Sequence, residues 1–138
     1  RALGIDKPVL GADGFDSPYL AKLAGDKALT KVYFTNHYSS LDKDPAVAKF
    51  IDDFKKKYNR EPDAFNALGY DLAKFLADGI SRSKSVDREA LKEALASTKD
   101  FSSVTGSFSI DENHNPVKSI VVIGLENGVQ ATAVKSGK

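Results

Sequence analysis

The 138-residue chain contains no cysteine, no methionine and only two histidines. Without cysteine there is no disulfide framework and no thiolate nucleophile. The compartment stays open, since exported and cytosolic proteins both dispense with disulfides. Lacking methionine, the sequence is expected to be a processed or truncated C-terminal portion of a longer protein. The opening Arg1-Ala2-Leu3-Gly4-Ile5 agrees, reading as the last turn of a helix with Gly4 as its left-handed stop. Charge of either sign is not in excess: 20 basic residues face 19 acidic ones, for a net charge of +1. A nucleic-acid partner would require a basic stripe, and none occurs. The longest basic run, Lys55-Lys56-Lys57, lies on the polar side of a predicted helix and reads as a solvated face. No apolar run approaches the length needed to span a membrane.

Hydrophobic residues make up 41% and charged residues 28%, the balance of an ordinary folded domain with chain enough for one core. Near the start, Pro8-Val9-Leu10 runs into Gly11-Ala12-Asp13-Gly14-Phe15. Val9-Leu10 reads as the end of a buried strand, and strand ends of this kind hold ligands in open α/β sheets. A carboxylate there would repel a phosphate but suits a cation, above all a ligand ammonium. Taken alone, the motif reads as a turn with Asp13 capping the next helix.

Further along, Ser17-Pro18 predicts a short helix with Tyr19, Leu20 and Leu23 on its apolar side. Lys31–Thr35 predicts a strand, and Asn36 to Lys43 a polar loop. Asp44-Pro45 starts a helix whose face is Val47, Phe50, Ile51, Phe54 and Tyr58, at spacings of three and four. A second helix begins near Asp63 with a stripe of Leu68, Leu72, Phe75, Leu76 and Ile80. A third starts at Asp87, with Val86 placed to staple onto Leu91. The period then changes to two. Ser119 to Leu125 predicts a strand buried on both faces, and Asn127-Gly128 a hairpin turn. The fold class is α/β, without a regular strand-helix alternation.

Catalytic chemistry finds little support. His37 and His114 lie in predicted loops, in no motif with a serine, and read as surface imidazoles. Asp111-x-Asn113-x-Asn115 imitates the start of a calcium loop, but Pro116 stands where glycine is needed and Val122 where a bidentate Glu is needed. No metal site, no dinucleotide fingerprint and no phosphate loop is read, so no cofactor and no catalytic residue is expected. Phe65 lies in the first turn of the second long helix, where it either packs in the core or walls an apolar pocket, with Tyr70 following on the same helix.

Several segments in fixed order carry a resemblance: Gly11-Ala12-Asp13-Gly14-Phe15; Pro62-Asp63-Ala64-Phe65 leading to Tyr70-Asp71; Val104-Thr105-Gly106 before Phe108-Ser109-Ile110-Asp111; and the closing Asn127-Gly128 hairpin. Over essentially its whole length, the chain resembles the C-terminal part of the substrate-binding proteins of branched-chain amino acid ABC transporters, the leucine/isoleucine/valine type. The resemblance implies a fragment of a two-lobed type I periplasmic binding protein fold, with Rossmann-like lobes joined by crossover strands and ligand enclosed between them. It divides the chain into residues 1–37 at the end of the second lobe, 38–118 as the C-terminal part of the first lobe, and 119–138 as a crossover strand and hairpin returning to the second lobe. It further implies that Asp13 binds the ammonium of an amino acid ligand and that Phe65 touches the ligand side chain from the opposite lobe. The hydroxyl-bearing loop that holds the ligand carboxylate in this family lies upstream of these residues. Many members carry Glu where this chain has Asp13.

The function so implied is non-enzymatic: capture of an amino acid, in particular a branched-chain one, for delivery to an ABC permease. The location is extracytoplasmic, in a periplasm or on the surface of a Gram-positive cell as a lipoprotein. A ligand-sensing domain of a receptor or regulator on the same fold is the alternative. Exposed lobe edges lead to an expectation of self-association for the 138 residues alone.

Overall fold

The computed structural model describes residues 1–137. Strand β2 (Val32–Asn36) shows the period of two that its sequence dictates, with Val32, Phe34 and Asn36 buried and Tyr33 and Thr35 exposed. On one side it pairs in parallel with β1 (Val9–Gly11). On the other it pairs antiparallel with β5 (Ile120–Glu126), which continues through a hairpin into β6 (Val129–Ser136), for a sheet order β1-β2-β5-β6. Parallel neighbours need a crossover connection. Here it consists of a 3-10 turn at Asp13–Phe15, helix α1 (Pro18–Ala24) and a second 3-10 turn at Asp26–Leu29. The β5–β6 hairpin turns on Asn127 and Gly128, with φ of 49° and 78°. Two successive left-handed residues are what a tight type I′ turn demands.

The segment between β2 and β5 holds the remaining elements. Helix α2 (Pro45–Tyr58) starts where Asp44 accepts a hydrogen bond from the Ala46 amide at 2.8 Å, with proline at its first position, and it stops at left-handed Asn59. Helix α3 (Ala64–Arg82) opens on a capping box in which the Asp63 side chain and the Asn66 side chain each accept from the other's backbone amide. Helix α4 (Arg88–Ala96) is capped by Asp87. Strands β3 (Phe108–Ile110) and β4 (Pro116–Lys118) form a separate antiparallel pair.

Composition suggested one core, whereas the chain builds two. Leu29, Val32, Phe34, Val121, Ile123 and Leu125 form the first, between the sheet and α1. Tyr38, Val47, Phe50, Ala64, Ala67 and Val104 form the second, between α2, α3 and the loop before β3. Buried Asp71 fastens that loop, accepting from the amides of Val104 at 2.9 Å and Thr105 at 2.8 Å. These two bonds satisfy amides that water cannot reach.

The opening strand is not buried: β1 is an edge strand, and Leu10 is 79% exposed. On α1, Tyr19 and Leu23 are likewise exposed, and Leu20 alone of the three packs on the first core. The face of α3 also differs from its leucine stripe. Small Ala64 and Ala67 lie inward, in the second core with Val47 and Phe50 of α2, while Leu72, Leu76 and Ile80 are exposed. Phe75 of that stripe does find partners, packing edge-on against Phe101 and Phe108. The expected staple is absent, since Val86 is fully exposed. Strand β5 buries Val121, Ile123 and Leu125 on the core face, whereas Ile120 is exposed and Val122 half-buried.

Candidate functional site

The loop after β1 is shaped by the packing of one ring. A side chain on Gly11 would lie 2.6 Å from the Phe15 ring, so glycine there lets Phe15 fold back beneath the strand end. Phe15 in turn packs on Phe34, with ring centroids 6.2 Å apart. Asp13 opens the 3-10 turn between them, with its side chain 54% exposed. It does not cap a helix: the 3-10 turn has no side-chain cap, and Ser17 caps α1 by accepting from the Tyr19 amide at 3.2 Å. Its carboxylate is thus left free of local backbone duty.

His37 faces that carboxylate. Its Nε2 lies 3.9 Å from Asp13 Oδ2. Parallel pairing explains the meeting: β1 and β2 run side by side with Gly11 opposite Phe34, so both chains leave the sheet at one edge. His37 is half-buried rather than a plain surface imidazole. Burial lowers its pKa below the ordinary 6.5, the Lys118 ammonium lowers it further, and Asp13 works in the opposite direction. Its neighbours are more buried still. Asn36 Nδ2, His37 Nδ1 and Tyr38 Oη are three consecutive buried polar atoms without a hydrogen-bond partner. Burial pushes the Tyr38 phenol well above its ordinary pKa, and the carboxylates of Asp16, Glu61 and Asp63 push it further.

A second link runs from the same loop to the helical region. Asp16 Oδ2 accepts from the Ala64 amide at 2.7 Å, across 48 positions of sequence. The first amides of a helix have no partner within it, and this one finds a carboxylate from the sheet side. The bond fixes the Asp13 loop against the first turn of α3. Phe65 follows immediately, 59% exposed, so of its two sequence readings core packing is excluded. It lines a cavity of about 440 Å³ with Phe54, Tyr58, Arg60 and Tyr70 among others. Asp13 is not among the lining residues of that cavity. The structure therefore joins the two sequence-identified residues through their neighbours, Asp16 and Ala64, rather than through a shared cavity.

The sequence reading took His37 for a surface imidazole and passed over Asp16. The rule that placed a ligand at the end of β1 also holds for its parallel neighbour β2, and would have marked His37. Asp16 carried no such signal, because its partner is remote in sequence. Among the described residues, no three His, Asp or Glu side chains are grouped to hold a metal ion. Asp111 spends one carboxylate oxygen on the amides of Asn113 and Asn115, which makes its segment a turn.

Residues 1–130 match the family model described as periplasmic binding protein. The chain is similar to the branched-chain amino acid transporter substrate-binding protein LivJ from Streptococcus pneumoniae, solved with isoleucine. Identity there is 34% and the TM-score 0.88, over 99% of this chain and 39% of that one. It is similar to the leucine-binding protein LivK from Thermotoga maritima at 38% identity and a TM-score of 0.83, over 99% and 38% of the two chains. A solute-binding protein of an ABC transporter from R. palustris, solved with benzoate, matches at 28% identity and a TM-score of 0.75, over 99% and 36%. The chain thus spans about two fifths of the length of these proteins.

Proposed function

The chain belongs to the periplasmic binding protein family, and we propose that the protein containing it captures a branched-chain amino acid outside the cytoplasm and delivers it to an ABC permease. Its mixed α/β fold matches part of a two-lobed type I periplasmic binding protein. Family membership implies the extracytoplasmic location; anchoring as a lipoprotein is part of the proposal. The lobe division belongs to it too: residues 1–37 and 119–138 in one lobe, 38–118 in the other. Two separate cores, each drawn from one side of that division, support it.

One observation carries the ligand class. Asp13 presents a half-exposed carboxylate, released from capping, at the end of a parallel strand and beside the junction of the two cores. An ammonium meeting such a carboxylate forms a charge-assisted pair, about twice as strong as a neutral hydrogen bond. Phe65, on the far side of the Asp16–Ala64 link, supplies apolar surface for an aliphatic side chain. Apolar walls discriminate by about 1–3 kcal/mol per methylene, so the ammonium contact sets the ligand class and the walls rank its members. Closure of the lobes would exclude water and signal occupancy to the permease, with no bond made or broken. Other ligand groups, above all a carboxylate cradle, would come from outside these 138 residues.

Calorimetric titration of the intact protein with L-leucine, L-isoleucine, L-valine and benzoate tests the proposal. Amino acids are expected to bind and benzoate is not. Asp13→Ala is expected to abolish amino acid binding while the circular dichroism spectrum is retained. Unchanged leucine affinity in that variant, or benzoate binding alone, would overturn the ammonium role.

A further inference from the structure

Resting on the ammonium role of Asp13, we propose that neutral His37 is the second acceptor for the same ligand ammonium, and that protonating His37 closes the site. An α-ammonium carries three N–H donors and needs more than one acceptor once water is excluded. Asp13 Oδ2 and His37 Nε2 are 3.9 Å apart. Two acceptors at that separation, each about 2.9 Å from one nitrogen, subtend an angle of about 85° at it, about 25° inside the tetrahedral spread of the ammonium hydrogens, which two bent hydrogen bonds span. The same 3.9 Å is too long for Nε2 to donate to the carboxylate, so no hydrogen bond to Asp13 holds a proton on Nε2.

The other ring nitrogen does not distinguish the two charge states. Nδ1 is buried without a partner. Accepting at Nε2 places the imidazole proton on Nδ1, so the Nδ1 N–H is buried and unanswered in the neutral acceptor and in the imidazolium alike, and charge alone separates the two forms. The charged groups facing His37 are Asp13, from the turn after β1, and Lys118, at the end of β4. Lys118 opposes a second cation at this place, and burial acts in the same sense.

The sign of the pH effect follows. Above its lowered pKa, His37 is neutral and accepts. As pH falls through that pKa, it becomes a cation that pairs with Asp13 and repels the ligand ammonium, so affinity drops. By linkage the ligand, once bound, lowers the His37 pKa by the same coupling.

The intact protein is titrated with L-leucine near neutral pH and again at about pH 5, on either side of the histidine range. Wild type is expected to weaken at least about fivefold on acidification. His37→Gln, whose amide oxygen accepts at every pH, should lose the pH dependence and bind more tightly at neutral pH than a variant with no acceptor there. His37→Leu should bind about 10- to 100-fold more weakly at neutral pH, the loss of one hydrogen bond to a charged group. A wild-type pH profile in His37→Gln, or wild-type affinity in His37→Leu, overturns the role of His37 while leaving that of Asp13 standing. In ligand-free protein, the His37 resonance followed by NMR should titrate at lower pH in Asp13→Asn, and an unmoved titration also overturns the pairing. Failure of leucine to bind wild type at either pH would overturn the amino acid reading, and this inference with it.

Discussion

Single side chains show how burial decides between a structural and a functional role. Asp13 and Asp71 are both carboxylates in loop-proximal positions, yet their surroundings differ. Asp71 is 4% exposed and its two oxygens answer two buried amides, so its task is to hold the loop before β3. Asp13 is half-exposed and answers no amide, so it is available to a ligand. Asp71→Leu should therefore cost about 3 kcal/mol in urea denaturation, because each orphaned amide costs about 1–3 kcal/mol. A loss near zero would mean that Val104 and Thr105 find other acceptors. The sequence offered both acids without this distinction. Asp71 appeared only as part of a segment, and its partners stand 33 and 34 positions away.

Elements were legible where their signals are local. Asp44-Pro45, Asp63 and Asp87 each cap the helix that their side chain and spacing announced. Asn127-Gly128 turns the hairpin with two positive φ values. Packing faces were less legible. The large apolar stripe of α3 pointed one way, while the buried residues are small Ala64, Ala67 and Gly79 together with Asp71. Contact distance explains this: a small residue permits close approach, and periodicity of large residues does not register it. A Cβ on Gly79 would lie 2.4 Å from Leu95 Cδ2 and 3.0 Å from its Cγ. Gly79→Ala gains about 1 kcal/mol of helix propensity. Against that, forcing Leu95 aside costs about 1–3 kcal/mol. A net loss of about 1 kcal/mol is expected from thermal or urea unfolding, relieved when Leu95→Ala is added. An additive double mutant would show that α3 and α4 do not meet at this point.

At the scale of the whole molecule, the chain folds around two cores and leaves Leu72, Leu76 and Ile80 exposed along α3, with the edge strand β1 open beside Leu10. A row of large apolar side chains on one helix marks an interaction surface. We expect the 138 residues alone to self-associate in light scattering and to bind L-leucine poorly, and Leu76→Glu to shift them toward monomer. A monomer at all accessible concentrations would contradict this. What the sequence by itself determined is the α/β class, the helix starts and the tight hairpin, because capping, turn chemistry and period act over a few residues. Only the tertiary structure decided that there are two cores, that Asp13 is spared from capping, that Asp16 reaches the start of α3, and that His37 stands 3.9 Å from the carboxylate. Each of these depends on parallel pairing or on contacts across tens of positions, and such contacts are fixed by the mutual fit of whole elements rather than by any local run of residues.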